Sequence, residues 1–190
     1  MKSNRGFTLI ELTMTAGLAS AYAVMLLALI FNLRNTTGMI EGRSTAADNA
    51  RNTMYSLTKE LRQASRASLT IGPGPAITYR IPQDLDGDGT VLDAAGNIEL
   101  GAPRTIERGG LRDRQLLLYA DGRIRVLGNG LAIGEDLDGD GELDEHEHGN
   151  GARFLNTDGA VEISLRTWVP ALGFGSATVS LTEVVWARNP

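Results

Sequence analysis

Two stretches of this chain space oxygen ligands as a calcium ion requires. Asp136, Asp138, Asp140, Asp144 and Glu147 stand at positions 1, 3, 5, 9 and 12 of a twelve-residue loop, with Gly141 at position 6 and Glu142 at position 7. Carboxylates on alternate residues converge on one centre, the glycine permits the sharp turn, position 7 offers its main-chain carbonyl, and a glutamate at position 12 closes the shell with both oxygens. Eight of the chain's 23 acids fall within residues 135–147, a density that repels itself unless a cation is present. A second stretch repeats the opening with Asp84, Asp86, Asp88, Gly89 and Thr90, but position 12 is Ala95 and the last acid, Asp93, sits at position 10. The first loop predicts one bound calcium; the second predicts a further site with altered closure. His146 and His148 are the only histidines. Among hard oxygen donors, and in a chain without cysteine, they read as solvated polar residues and not as a zinc site.

A third chemical group stands alone. From Phe7 to Leu33 the chain is predominantly apolar, and Glu11 is its only formal charge. At about 1.5 Å per residue this run spans a hydrocarbon core of about 30 Å. An ionised carboxylate there is costly and calls for a partner. Cleavage between Gly6 and Phe7 would create one, because the new α-amino group is cationic near neutral pH and could neutralise Glu11 of the same or a neighbouring chain. Lys2 and Arg5 precede the run without an acid, which orients the N-terminus to the cytoplasm and the rest of the chain to the outer side. A secretory signal peptide would instead be cut beyond the apolar run, and Ala19-Ser20-Ala21 lies in its middle.

The elements that must carry these groups follow from periodicity. Ala50, Met54, Leu57, Leu61, Ala64 and Ser68 recur at helical spacing while Arg51, Lys59, Glu60, Arg62 and Arg66 fall elsewhere, so an amphipathic helix continues from the apolar run through residue 71. Gly38 and Gly42, where helix propensity is poorest, mark a bend or a melted stretch in it. Gly72-Pro73-Gly74-Pro75 ends it. Beyond it, residues 76–81, 115–120, 123–127, 161–169 and 177–187 read as strands. Asp121-Gly122 predicts a tight hairpin between the second and third. Tyr119, Trp168 and Trp186 lie within strand patterns and are expected in the core. The expected fold class is α+β: one long N-terminal helix packed on an antiparallel sheet, with the two acidic loops as insertions. With no helices flanking those loops, their ions would staple β connections.

Composition sets bounds. The chain has 190 residues, 18 Lys and Arg against 23 Asp and Glu, a formal charge of −5 and no cysteine. Loss of residues 1–6 would bring the charge to −7. No nucleic-acid-binding surface is indicated. No G-x-S-x-G, H-E-x-x-H or phosphate-binding loop occurs, so no enzyme is expected and function is sought in assembly.

Lys2 to Leu12, KSNRGFTLIEL, resembles the class III signal sequence of type IV pilins and type II secretion pseudopilins. The resemblance implies that a prepilin peptidase cuts after Gly6 and methylates Phe7, and that Glu11 serves assembly. Residues 47–65 resemble the first-helix continuation of PilW-like minor pilins and of the J-type minor pseudopilin, and residues 178–189 resemble the closing strand of the same group; the middle third is matched poorly. The implied organisation is a leader (1–6), a transmembrane and filament-core helix (7–33), its amphipathic continuation (34–71) and a β-rich head (72–190) with acidic loops at 84–95 and 136–147. The implied protein is a minor subunit of a pilus or secretion pseudopilus acting in filament initiation. It would sit in the inner membrane by a single pass, with its head in the periplasm, and then enter the filament. Implied partners are the prepilin peptidase, other major and minor pilins or pseudopilins, the inner-membrane assembly platform and the membrane itself. Two readings from other classes are a filament-borne calcium-dependent adhesin or DNA-uptake module, and a membrane-tethered envelope enzyme.

Overall fold

A computed structural model describes residues 8–72, 74–110, 114–132, 151–157, 160–170 and 176–187. Gly6, Phe7, the whole 136–147 loop and both histidines lie outside the described residues. The fold is α+β. Among the described residues a single α-helix, α1 (Leu9–Leu61), precedes eight strands: β1 (Thr70–Ile71), β2 (Ala76–Tyr79), β3 (Arg104–Gly109), β4 (Gln115–Ala120), β5 (Arg123–Asn129), β6 (Ala152–Thr157), β7 (Ala160–Pro170) and β8 (Ser176–Trp186). They form two antiparallel sheets, β1-β2-β3-β4-β5 and β6-β7-β8. The segment after β5 joins them: Leu131 bridges Thr167, and Trp168 N–H donates to Gly130 at 2.7 Å.

α1 has two halves. Every described residue up to position 37 is exposed, and burial begins at Gly38. From there Gly38, Gly42, Ala46, Ala50, Met54, Leu57 and Leu61 are buried, a stripe that packs against β5, β7 and β8. Small residues at the start of the stripe let backbones approach closely. The Thr167 hydroxyl of β7 donates to the Ala46 carbonyl at 2.7 Å. Leu57 and Leu61 then meet Ile77, Ile106, Leu116, Ile163 and Leu165 in one core drawn from both sheets.

The helix ends earlier than expected. The continuation drawn to residue 71 stops at Leu61, and Ser68 lies in a single 3-10 turn, Arg66–Ser68. The chain turns at Ala64 because its buried methyl fills the core while Ser65 N–H is drawn off to the Arg80 carbonyl at 2.9 Å. Gly72 and Gly74 therefore serve the β1–β2 turn and not a helix cap, with Gly72 N–H donating to Ala76 O at 3.0 Å. No melted stretch occurs at Gly38 and Gly42: both are helical and buried within the unbroken α1.

The five strands read from the sequence are β2, β4, β5, β7 and β8; β1, β3 and β6 were not legible. The Asp121-Gly122 hairpin forms with positive φ at both positions, 53° and 71°, as a type I′ turn requires. In β5 the partners of Leu116 and Leu117 are Gly128 and Val126, so Leu127 is the extra residue of a bulge. A Cβ at Gly128 would lie 2.0 Å from Thr53 Oγ1 of α1, so glycine there permits the helix to approach. The aromatic expectation is corrected: Trp186 is 64% exposed, while Trp168 and Tyr119 are half-buried. Trp186 falls on the outer face of β8, and Trp168 is covered by the Arg114 guanidinium, 4.2 Å from its ring centroid.

Candidate functional site

Three places gather the chemically notable groups. The first is the start of α1. Thr8 is its N-cap, and Thr8 with Glu11 forms a reciprocal capping box: Thr8 N–H and Thr8 Oγ1 both donate to Glu11 Oε2 at 3.0 Å, and Glu11 N–H donates to Thr8 Oγ1 at 3.4 Å. Glu11 thus satisfies the helix's own orphan donors through one oxygen. The half of α1 that follows carries exposed apolar side chains on every side, among them Leu18, Met25, Leu27, Ile30 and Phe31. An 18-residue window there has mean hydropathy 2.0 and none of it is buried by the chain itself. By length and composition this is a candidate membrane span.

The second is the acidic insertion between β2 and β3. Its two arms are pinned by antiparallel bridges, Pro82 to Leu100 and Leu92 to Ile98. Glu99 on the returning arm is fixed on both sides: its N–H donates to Val91 O at 2.8 Å and its carbonyl accepts from Gln83 N–H at 3.0 Å. This places the Glu99 carboxylate at the mouth of the 84–90 turn, where Leu85 N–H donates to its Oε2 at 2.5 Å. Asp84, Asp86 and Glu99 each bring one carboxylate oxygen within 4.8 Å of the others.

Of the five residues predicted for this loop, the structure brings two into that cluster. Asp84 accepts from Gly89 N–H at 2.9 Å and Gly87 N–H at 2.6 Å, and these bonds, Gly89 first, hold its carboxyl below the usual carboxylate range. Asp88 instead binds Thr90 through both its N–H and its hydroxyl, at 2.7 and 2.9 Å. Asp93 builds a separate turn, accepting from the Asn97 side chain and from the Asn97 and Ala95 N–H groups; the Asn97 side chain is the largest cause of its lowered pKa. Glu99 was missed because it lies fifteen residues beyond Asp84 and arrives through a β bridge, not through loop spacing.

The third is a buried polar cluster that periodicity assigned to solvent. Glu60 is 7% exposed. It pairs with Arg125 of β5, lies 3.8 Å from Arg104 of β3 and accepts from the Tyr79 hydroxyl of β2 at 3.3 Å. Arg104 in turn lies 3.6 Å from Asp121 at the hairpin tip. Tyr79 is fully buried, and desolvation, with the Glu60 charge second, pushes its phenol pKa well up. The signal for Glu60 was present: Thr53, Leu57, Glu60 and Ala64 form a second row at spacings of 4, 3 and 4, beside the apolar one. This cluster ties α1 to three strands.

Against protein-family models, curated proteins and solved structures, the chain shows no match.

Proposed function

We propose that this chain is a minor pilin or pseudopilin: a structural subunit cut between Gly6 and Phe7 by a prepilin peptidase, anchored in the inner membrane by the first half of α1 and extracted into a filament. The observation that carries the reading is the contrast within one unbroken helix, whose residues 9–37 are exposed and whose residues from 38 onward are packed on the head. Its apolar part, about 25 residues (9–33) at about 1.5 Å each, gives roughly 38 Å of helix, enough for a bilayer core or for the axis of a helical filament. Lipid and neighbouring helices are the two surroundings that suit an all-round apolar surface.

Glu11 is the assembly residue in this reading. Its capping box uses Oε2, leaving Oε1 for the methylated N-terminal amine of a neighbour, which sets axial register. Asp84, Asp86 and Glu99 fit a calcium ion by donor type, since all three offer hard carboxylate oxygens. With the 136–147 loop they would make calcium a staple for a head that has no disulfide.

The test is the mature N-terminus. Mass spectrometry of the protein recovered from envelopes should find a chain beginning at methylated Phe7, and Gly6→Val should leave the precursor intact; an envelope form that keeps residues 1–6 rules the reading out. Glu11→Leu should be cleaved normally yet enter filaments poorly. For calcium, the head's melting temperature should rise with ion concentration and the rise should shrink in Glu99→Gln; indifference to millimolar calcium removes the staple.

A further inference from the structure

The edge of β8 is unusually open. β8 is the outer strand of its sheet, runs in unbroken register with β7 over eleven residue pairs, and among the described residues has no backbone partner on its other side. Natural edges of this length are blunted by proline, bulges or several charges. β8 has no proline and no bulge, and Glu183 is its single charge. Its outward side chains include Val184 and Trp186, 50% and 64% exposed.

Beside this edge lies an open groove of about 880 Å³ between α1 and the inward face of β8. Its wall along α1 and the helix's C-cap carries Arg51, Lys59 and Arg62, against one acid, Glu183, on the opposite side. Lys59 and Arg62 form no ion pair among the described residues, and Arg51 reaches only the exposed Asp48 on its own helix, at 3.8 Å. Met54, Ile81 and Leu181 add an apolar floor, and Tyr55, 72% exposed, stands at the rim. Thr58, also lining the groove, is 7% exposed and its hydroxyl has no hydrogen-bond partner. Three cations facing one acid give this wall a local preference for anions.

We propose that the β8 edge and this groove together receive an extended segment of a partner protein as a fourth strand, with acidic side chains on one face and β-branched apolar ones on the other. Side chains alternate along a strand. One set therefore enters the groove, where carboxylates meet Arg51, Lys59 and Arg62 and their methylenes cover Met54 and Leu181. The other set lies beside Val184 and Trp186. Main-chain hydrogen bonds to β8 supply affinity, and the cations supply the selection. The assignment is independent of the anchor reading, because it uses none of residues 9–37.

The test uses the full chain in detergent and three fluorescent decapeptides: valine alternating with glutamate, valine alternating with lysine, and the glutamate peptide with alternate amides N-methylated. Fluorescence anisotropy should show the Val/Glu peptide binding with a dissociation constant below about 100 μM, and at least about tenfold weaker binding of each control. Lys59→Glu combined with Arg62→Glu should reverse the charge preference; should that variant not fold, the peptide comparison on the unchanged protein still decides. Equal binding of all three peptides, or none up to about 1 mM, overturns the proposal. Self-association that the Val/Glu peptide does not compete would give the edge to a second copy of this chain and overturns it equally.

Discussion

The two halves of α1 share one backbone and obey opposite rules. Residues 9–37 are all exposed, and as far as Leu33 apolar side chains cover the helix on every side; residues 38–61 place glycine, alanine and leucine on one stripe and bury it completely. The first half would satisfy lipid or a bundle of like helices, where backbone bonds close internally and side chains need no partner of fixed shape. The second half is held by particular neighbours, from Thr167 on Ala46 to the Glu60 cluster. Apolar residues in the two halves therefore carry different information: composition in one, shape in the other.

The comparison is broken or upheld most forcefully at Leu57. It is fully buried where α1 meets both sheets, and Leu57→Ala should lower head stability by about 2–5 kcal/mol through lost transfer energy and a cavity. Denaturation followed by tryptophan fluorescence reads this cleanly, since Trp168 and Trp186 both lie in the head and neither in α1. A loss below about 0.5 kcal/mol would mean that the packed half is not the head's core.

Glu60 comes next. Glu60→Ala leaves the buried Tyr79 hydroxyl without its acceptor and leaves Arg104, whose side chain is 27% exposed, without its helix partner. A cost of about 1–3 kcal/mol is expected, with Arg125 adding little because its side chain is 59% exposed. Glu60→Gln, which keeps an acceptor for Tyr79, should recover part of the loss. If alanine and glutamine cost the same, charge and not the tyrosine hydrogen bond organises the cluster.

The same cluster predicts a pH dependence. Tyr79's folded pKa lies above its unfolded value near 10, with desolvation as the main cause. The unfolded chain therefore releases this proton first as pH rises, and the stability Tyr79 contributes, fully present below about pH 10, declines above it. Tyr79→Phe should flatten that decline. An unchanged slope between about pH 10 and 11 would show that other groups cause it.

What was legible in the sequence divides along the same line. The exposed half of α1, the apolar stripe and the Asp121-Gly122 hairpin are local patterns, and each stands where periodicity or turn chemistry placed it. The helix terminus at Leu61, Glu99 and Glu60 were decided by distant chain: Arg80 diverts the main chain after Ala64, a β bridge delivers Glu99, and three strands surround Glu60. Trp186 read as core because aromatic enrichment does not say which face of a strand is covered. β3 and β6 lacked clean alternation: ARFLNT ends on polar residues, and RTIERG has one fully buried side chain, Ile106.

The smallest expected effect is the other side of the Leu57 experiment. Leu26, 56% exposed in the free half of α1, sits among Met25, Leu27 and Leu29 and has no contact that defines a cavity when it is shortened. Leu26→Ala should change head stability by less than about 0.5 kcal/mol. In a membrane it removes about three carbons from an all-apolar helix, an insertion cost of well under about 1 kcal/mol against a span of this hydropathy. The same chemical change, Leu→Ala, then costs severalfold more at residue 57 than at residue 26, about nine helical turns away on the same rod. A loss at residue 26 as large as the one expected at residue 57 would require that the free half folds back on the head, and that would withdraw the ground for treating it as an anchor.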